Sequence, residues 1–180
     1  MKFLLIGPPA SGKGTLGGLL SERLSVPIVS VGEVLRDVPA DSLSYKKIHE
    51  FMDQGLLVPS DLAASLLSEE LSKEKYSRGF ILDGWMRDVD QQNHFDPNVD
   101  FAIYVNVSDE TAIKRAQNRT DKREDDKDEV IKKRLELFHT DTMPVVESFR
   151  AAGKLIEVNG EPSREEVFEE AWSQLKPHLK

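Results

Sequence analysis

Short apolar runs recur along the chain and are separated by longer segments of mixed polarity. Three of these runs are almost continuously apolar and rich in β-branched or aromatic residues: Phe3–Ile6, Phe80–Leu82 and Phe101–Val107. A run of this kind predicts a strand that is buried on both faces of a sheet. Weaker apolar patterns predict two further strands, at Pro27–Val29 and Lys154–Val158.

Segments with helical periodicity lie between these strands. The predicted helices are Lys13–Leu24, Leu43–Gln54, Leu62–Lys73, Asp109–Asn118, Lys127–Arg150 and Glu165–Leu175. Gly55 is a candidate C-cap, and Ser163 with Glu166 forms a capping-box pattern ahead of the last helix. Pro144 is predicted to kink or interrupt the longest helix, because proline has no backbone N–H to donate.

Strands that alternate with helices predict an α/β fold, in which a parallel sheet of about five strands is wound by right-handed crossovers and covered by helices. The length of 180 residues suits one such core and not a second full domain. Two segments exceed a minimal crossover: a helical insert at 30–59 and a polar tract at 119–126, whose composition is typical of a short mobile loop. The other segments, 1–29, 60–118 and 127–180, are predicted to form the core of a single domain.

Charge and composition narrow the class of ligand. Hydrophobic residues make up 39% and charged residues 31% of the chain, which is ordinary for a globular protein. The formal net charge of −8 argues against a broad footprint on a nucleic-acid backbone. Local arginines can still bind a small anion in a cleft. The composition therefore argues against a nucleic-acid partner and leaves a small anionic ligand open.

The expected compartment is the cytoplasm. The chain contains no cysteine, which excludes disulfides and cysteine-ligated metal sites and fits a reducing compartment. The apolar run Phe3–Ile6 is shorter than the hydrophobic region of a signal peptide. No other stretch approaches the roughly 20 apolar residues of a membrane span.

The residues from Gly7 to Thr15 follow the first predicted strand and open the first predicted helix, which is the context of a P-loop. Glycines let the backbone curl so that its N–H groups face phosphate oxygens, and the helix N-terminus adds partial positive charge. Lys13 is placed to reach the β- and γ-phosphates of a nucleotide. Gly14 follows the lysine where serine or threonine is usual.

The Gly-Lys-Gly-Thr sequence at 12–15 is the form seen in adenylate kinases and related nucleoside monophosphate kinases, and further motifs resemble this family in the same order. Residues 30–36 and 55–61 resemble the two ends of the family's monophosphate-binding insert. Residues 79–91 resemble its central strand and acceptor-binding turn. Residues 119–134 resemble a lid of the short type. The resemblance thus covers nearly the whole chain.

The resemblance implies a single nucleoside monophosphate kinase domain that transfers the γ-phosphate of ATP to AMP, giving two ADP. The catalytic residues that it implies are Lys13, Asp83, Arg87, Arg123 and Arg134. Asp83 would organise Mg²⁺ through water, and the cations would neutralise phosphate charge. Arginine suits this task because its planar fork can hold phosphate oxygens bidentately. ATP and a nucleoside monophosphate are the implied partners, and a monomer is the family expectation.

The resemblance also assigns residues to each nucleotide. The ATP-binding residues would be Ala10, Ser11, Gly12, Lys13, Gly14, Thr15, Arg115 and Arg119. The AMP-binding residues would be Val31, Arg36, Leu56, Leu57, Val58, Gly84, Trp85, Met86, Arg87, Gln91, Arg123 and Arg134. Arg36 and Arg87 would hold the acceptor phosphate, Arg115 would lie against the donor adenine, and Asp125 would steer the lid arginines. Trp85 either stacks near the acceptor or, as the pattern favours, packs beside the sheet.

Four positions depart from the family pattern. Ala10 stands in place of a glycine, Val31 in place of a threonine, Met86 in place of a proline, and Asp88 in place of a threonine. Gln91 can read the adenine edge through its amide and favours AMP, whereas relatives acting on pyrimidine monophosphates share the missing hydroxyl at Val31. Two alternatives stay open: a UMP or CMP kinase on the same scaffold, and a nucleotide-binding regulator with impaired transferase activity.

Overall fold

One fully parallel sheet organises the protein, whose computed structural model describes residues 1–118 and 128–179. Its strands in chain order are β1 (Lys2–Ile6), β2 (Ile28–Ser30), β3 (Phe80–Asp83), β4 (Phe101–Asn106) and β5 (Leu155–Asn159). They lie side by side in the order β2-β3-β1-β4-β5, and every neighbouring pair is parallel. The structure therefore confirms the predicted strands and the predicted α/β fold of the P-loop NTPase type.

Helices connect the strands. In chain order they are α1 (Lys13–Leu24), α2 (Val31–Arg36), α3 (Tyr45–Met52), α4 (Ser60–Leu71), α5 (Val89–His94), α6 (Asp109–Gln117), α7 (Asp128–Leu137), α8 (Met143–Ala151) and α9 (Arg164–Leu175). The bounds of α1, α3, α4, α6 and α9 lie within two residues of the prediction at each end. The pattern did not predict α2 and α5, since six residues are too few to show a helical period. No helix within 1–118 and 128–179 is long and apolar enough to cross a membrane.

The predicted helix ends are confirmed in atomic detail. Gly55, at φ 69°, follows α3, and the N–H of Leu56 donates to the carbonyl of Phe51 at 3.0 Å. This bond is typical of a Schellman motif, in which a glycine after the helix adopts the left-handed conformation without steric cost. At the start of α9, Ser163 accepts from the N–H of Glu166, and the Glu166 side chain accepts from the N–H of Ser163. Both capping-box bonds are therefore present.

The longest predicted helix is interrupted ahead of Pro144, as expected. Between α7 and α8 the chain makes a π-helical turn at Phe138–Thr142, in which the N–H of Met143 donates to the carbonyl of Phe138 five residues earlier. Pro144 is the second residue of α8 and cannot donate to the carbonyl of Thr140, so an ordinary α-helical ladder could not continue through it. We refer to Phe138–Thr142 as the π-turn.

Side chains alternate between the two faces of the sheet, and both faces are covered. On β1, Leu4 and Ile6 belong to one apolar cluster, while Phe3 and Leu5 belong to another on the opposite face. The first cluster continues into α4 and α8, and the second into α1 and α9. Burial on both faces explains why the strands are nearly continuous apolar runs.

The strand order sets the position of the candidate site. In the register of the sheet, Asp83 at the end of β3 lies beside Leu5 of β1 and Ser30 of β2. Because β1 lies between β3 and β4, the order of the strands reverses at its carboxyl end. Ligands of open α/β sheets bind in the crevice at such a switch point. The segment that begins at Gly7 emerges there.

Candidate active site

The loop after β1 curls back on itself ahead of α1. Ala10 and Gly12 hold left-handed conformations, at φ 57° and φ 92°, and the N–H of Ser11 donates to the Pro8 carbonyl at 3.2 Å. Gly12 is the N-cap of α1 and has no side chain, so no cap side chain competes with a ligand for the first N–H groups of the helix. The ammonium of Lys13 folds over the loop and donates to the Pro8 carbonyl at 3.3 Å. This arrangement suits a phosphate anion.

Gly7 allows the loop to pack tightly beneath this turn. A Cβ atom at Gly7 would lie 2.8 Å from the hydroxyl of Ser11 and 2.8 Å from the carbonyl oxygen of Val105. Ser11 is 1% exposed, and its hydroxyl has no hydrogen-bond partner within the described residues. The Ser11 side chain thus lies under the loop, which leaves the loop backbone to meet a ligand.

Asp83 places a carboxylate directly against the start of α1. A Cβ atom at Gly14 would lie 3.7 Å from its Oδ2 atom, and its Oδ1 atom is buried without a hydrogen-bond partner in the described part of the chain. A carboxylate oxygen that no protein donor satisfies is suited to a cation or to a water bound by one. The absence of a side chain at Gly14 keeps that space open.

A large cleft of about 1850 Å³, which we call the α6 cleft, opens on the far side of the phosphate loop. Arg115 of α6 spans it, with Nη1 donating to the carbonyl of Ser11 and Nη2 to the carbonyl of Glu161, each at 3.2 Å. The Glu161 carboxylate accepts from the N–H of Ser108 and from the hydroxyl of Thr111, each at 2.7 Å. These hydrogen bonds lower the pKa of Glu161.

Glu161 was not predicted from the sequence. Its position just after β5, at the carboxyl edge of the sheet, is the signal that could have pointed to it. Its backbone carbonyl accepts from Arg115, while its side chain holds the N-terminus of α6. Glu161 therefore ties two segments of the α6 cleft together.

A second cleft of about 580 Å³, the α2 cleft, lies between α2, the segment after α3 and the segment after β3. The predicted AMP-binding residues that line it are Val31, Arg36, Leu56, Leu57, Val58, Gly84, Trp85, Arg87, Gln91 and Arg134. The structure thus gathers, from four parts of the chain, nearly every described residue that was assigned to the acceptor.

Met86 is the exception among those residues. Its side chain is 1% exposed and packs in the hydrophobic core instead of lining a cleft, and its backbone adopts φ 53°. Proline cannot adopt that conformation, so the turn is built differently from a proline turn. Gly84, at φ 92°, completes it, and a Cβ atom there would lie 2.9 Å from Nη2 of Arg87.

The structure decides between the two interpretations of Trp85, which were stacking near the acceptor and packing beside the sheet. The indole is 1% exposed, lies beside the ring of Phe95 and donates from Nε1 to the Phe95 carbonyl at 3.0 Å. Trp85 therefore packs beside the sheet as the pattern favoured, with one edge contributing to the cleft wall.

Asp88 and Gln91 shape the turn that carries Arg87. Asp88 is the N-cap of α5, and its Oδ1 atom accepts from the N–H of Gln91 at 2.7 Å. The Gln91 side chain returns to accept from the N–H of Arg87 at 2.9 Å, although Gln91 is only 4% exposed. The carboxylate at position 88, which departs from the family pattern, thus has a structural role as a helix cap.

Three cations from the described part of the chain meet in the central cleft, which has a volume of about 550 Å³. Lys13 comes from the phosphate loop, Arg87 from the turn after β3, and Arg134 from α7, and all three line this cleft. The central cleft shares Arg87, Arg134 and Gly84 with the α2 cleft, so the two are continuous. Thr142 also lines it and was not predicted. Three predicted residues, Arg119, Arg123 and Asp125, lie outside the described residues.

Comparison with known proteins decides the family. The family model described as adenylate kinase matches residues 5–154. An adenylate kinase of Thermosipho africanus is 33% identical over 98% of this chain and all of its own length. One from Encephalitozoon cuniculi is 35% identical over 94% of each chain, and adenylate kinase isoenzyme 1 of Caenorhabditis elegans is 36% identical over 92% of this chain and 83% of its own. This chain belongs to the adenylate kinase family.

Membership of the adenylate kinase family makes the protein an enzyme, a phosphotransferase of the nucleoside monophosphate kinase class. The phosphate loop, Asp83 and the cations of the central cleft lie together at the switch point of this adenylate-kinase-family sheet. Phosphoryl transfer needs such an arrangement, since it depends on positioning and charge neutralisation more than on a covalent protein group.

Proposed function

We propose that this member of the adenylate kinase family transfers the γ-phosphate of ATP reversibly to AMP, giving two ADP. The observation that carries the proposal is the convergence of Lys13, Arg87 and Arg134 on one cleft, between a phosphate loop on one side and the α2 cleft on the other. ATP would lie along the phosphate loop with its base in the α6 cleft, and AMP would occupy the α2 cleft.

The positions of the cations support the roles that the family resemblance implies for them. Lys13 would contact the β- and γ-phosphates of ATP, while Arg36 and Arg87 would hold the phosphate of AMP. Arg134 would approach the group in transit from the side of α7. Arg115 would lie against the donor base, since its guanidinium is held over the phosphate loop. Each contact neutralises charge that would otherwise keep two anionic nucleotides apart.

The division of the chain into moving parts is a proposal as well. Segment 30–59 would be the acceptor-binding insert and 119–126 a short lid, with 1–29, 60–118 and 127–180 forming the core. Arg119 and Arg123 of the lid would join the phosphates, with Asp125 steering them. Closure of both segments would exclude water and so suppress hydrolysis of ATP.

We also propose Mg²⁺ as the cofactor. Asp83 would hold it through water, because Mg²⁺ usually keeps several waters and binds one or two carboxylates together with substrate phosphates. The buried Oδ1 of Asp83, which has no hydrogen-bond partner among the described residues, and the open space at Gly14 fit this ion. When bound, Mg²⁺ would neutralise charge on the β- and γ-phosphate oxygens.

AMP is the favoured acceptor because of Gln91. The Gln91 side chain lines the α2 cleft, and its Oε1 is fixed by the N–H of Arg87, which leaves the amide N–H₂ to donate to the base. The second lone pair of Oε1 can accept from the base as well, so the Gln91 amide can match the donor and acceptor edge of adenine. Val31 supports the second candidate, a UMP or CMP kinase, because it gives the cleft wall only methyl groups.

An acceptor panel tests the proposal. Formation of ADP would be followed with ATP and Mg²⁺ against AMP, dAMP, UMP, CMP and GMP, with a control that contains no acceptor. We expect the highest kcat/KM with AMP and little hydrolysis in the control. A preference for UMP or CMP would keep the transfer chemistry and overturn the assignment of the acceptor. ATP binding without transfer to any acceptor would overturn the proposal in favour of a nucleotide-binding regulator.

A further inference from the structure

A buried threonine hydroxyl reaches from the π-turn to the loop that carries Arg87. The Oγ1 atom of Thr142 donates to the carbonyl oxygen of Arg87 at 2.6 Å. Thr142 is 6% exposed and lines the central cleft. A bond between segments so distant in sequence, placed beside the candidate site, is more than local helix capping.

The π-turn is what brings this hydroxyl to Arg87. One extra residue in a helical turn rotates every residue after it by about 100° relative to a continuous α-helix. The π-turn is itself anchored, since Phe138 is buried and stacks on Tyr104 of β4, and His139 pairs with Asp109 at the start of α6. The direction of Thr142 is therefore set by the fold.

The backbone and side chain of Arg87 are held from several directions. Gln91 accepts from its N–H at 2.9 Å, and the Gly84 carbonyl accepts from its Nε at 3.1 Å. Both partners belong to the same turn, whose Met86 adopts φ 53° without the rigidity of a proline ring. Thr142 instead bonds the turn to the π-turn, which directly follows the helix α7 that carries Arg134. The segments that carry the two arginines of the central cleft are therefore connected by this hydrogen bond.

We propose that Thr142 is a positioning residue that fixes Arg87 against the phosphate of the acceptor nucleotide. The inference rests on the proposed function, since Arg87 is assigned there to that phosphate. Removal of the hydroxyl takes away the hydrogen bond that joins the π-turn to the Arg87 carbonyl, and the turn can then shift. Small displacements of a phosphate-positioning group are costly because the reacting atoms must approach in a narrow range of geometries.

The test compares Thr142→Val, which keeps the shape and removes the hydroxyl, with Thr142→Ser, which keeps the hydroxyl. Thr140→Val is the matched control, because Thr140 lies in the same π-turn and, within the described residues, its exposed hydroxyl bonds only to the neighbouring Leu137 and Asp141. For Thr142→Val we expect kcat/KM for AMP to fall about tenfold while KM for ATP changes less than about twofold. Thr142→Ser should restore most of the loss, and Thr140→Val should match the wild type.

A double-mutant cycle separates positioning from general destabilisation. In an Arg87→Ala background, Thr142→Val should change kcat/KM for AMP by less than about twofold, because the group that Thr142 positions is gone. An equal loss in both backgrounds would overturn the inference. So would a Thr142→Val enzyme with a lowered thermal midpoint and unchanged kinetics in its folded fraction.

The wild-type enzyme distinguishes the two failures. If it does not phosphorylate AMP, the proposed function fails, and with it the assignment of Arg87. If it does, and Thr142→Val has the kinetics of Thr140→Val, the inference about Thr142 fails and the proposed function stands.

Discussion

Ala10 and Met86 hold left-handed backbone conformations, at φ 57° and φ 53°, in two loops of the candidate site. For a residue with a side chain this region costs about 1–2 kcal/mol. Such strain persists where the surrounding contacts hold the backbone in that conformation, and it is concentrated at functional sites. Both residues could be recognised from the sequence as departures from a family pattern. Their positive φ angles could not, because tertiary contacts set the backbone of a residue that is not glycine.

Replacement of Ala10 by glycine is predicted to stabilise the protein. Glycine adopts φ 57° without a steric penalty, and its extra freedom in the unfolded chain offsets only part of the gain, so the free energy of unfolding should rise by about 0.5–1 kcal/mol. Urea denaturation measures this change. Ala152→Gly is the control, since Ala152 has φ −78° and should lose stability on the same substitution. A destabilised Ala10→Gly protein would contradict the strain that we assign to this loop.

At the scale of elements, the strands were the most predictable part of the fold. Burial on both faces leaves a nearly continuous apolar run, which differs from the periodic pattern of an amphipathic helix. The short helices α2 and α5 had a weaker signal that could have been used: Ser30 precedes Glu33, and Asp88 precedes Gln91, with the spacing of a capping box. Pro144 indicated the interruption before α8, but the π-turn depends on packing that the sequence does not show.

The hydrogen bonds of Glu161, which join the segment after β5 to α6, predict how the stability of the protein depends on pH. The pKa of Glu161 is lowered by its bonds to Ser108 and Thr111, so the folded protein binds a proton there less readily than the unfolded chain. The stability contributed by the carboxylate is fully present above the unfolded pKa of about 4.5 and is lost as the pH falls through the lower, folded pKa. Glu161→Gln should therefore remove part of the acid-dependent loss of stability that the wild type shows below about pH 4.5.

Glu161→Gln should also raise KM for ATP by about threefold and leave KM for AMP unchanged, because an exposed carboxylate contributes modestly and lies beside the α6 cleft. Denaturation at several pH values and steady-state kinetics measure the two effects. Glu165→Gln is the matched control, since Glu165 is exposed and its side chain makes no hydrogen bond within the described residues. Identical pH profiles for Glu161→Gln and the wild type would contradict the assigned link.

At the scale of the whole molecule, a protein with a net charge of −8 gathers cations where its strands end. The position of the phosphate loop in the chain could be predicted, because its residues are contiguous and its chemistry depends on backbone N–H groups. The convergence of Arg87 with Arg134 came from a family resemblance, since spacing alone cannot bring together a strand end and a distant helix. The tract 119–126, the monomeric state and the cytoplasmic location stay predictions.

The most direct test of the account follows the labelled γ-phosphate of ATP in the presence of Mg²⁺ and AMP, with products separated by chromatography. We predict that the label appears in ADP, that Lys13→Met slows this transfer at least about 100-fold, and that Lys154→Met, at an exposed lysine ahead of β5, leaves it unchanged. Label released as inorganic phosphate, or transfer that survives Lys13→Met, would contradict an enzyme that moves phosphate between two nucleotides through the central cleft.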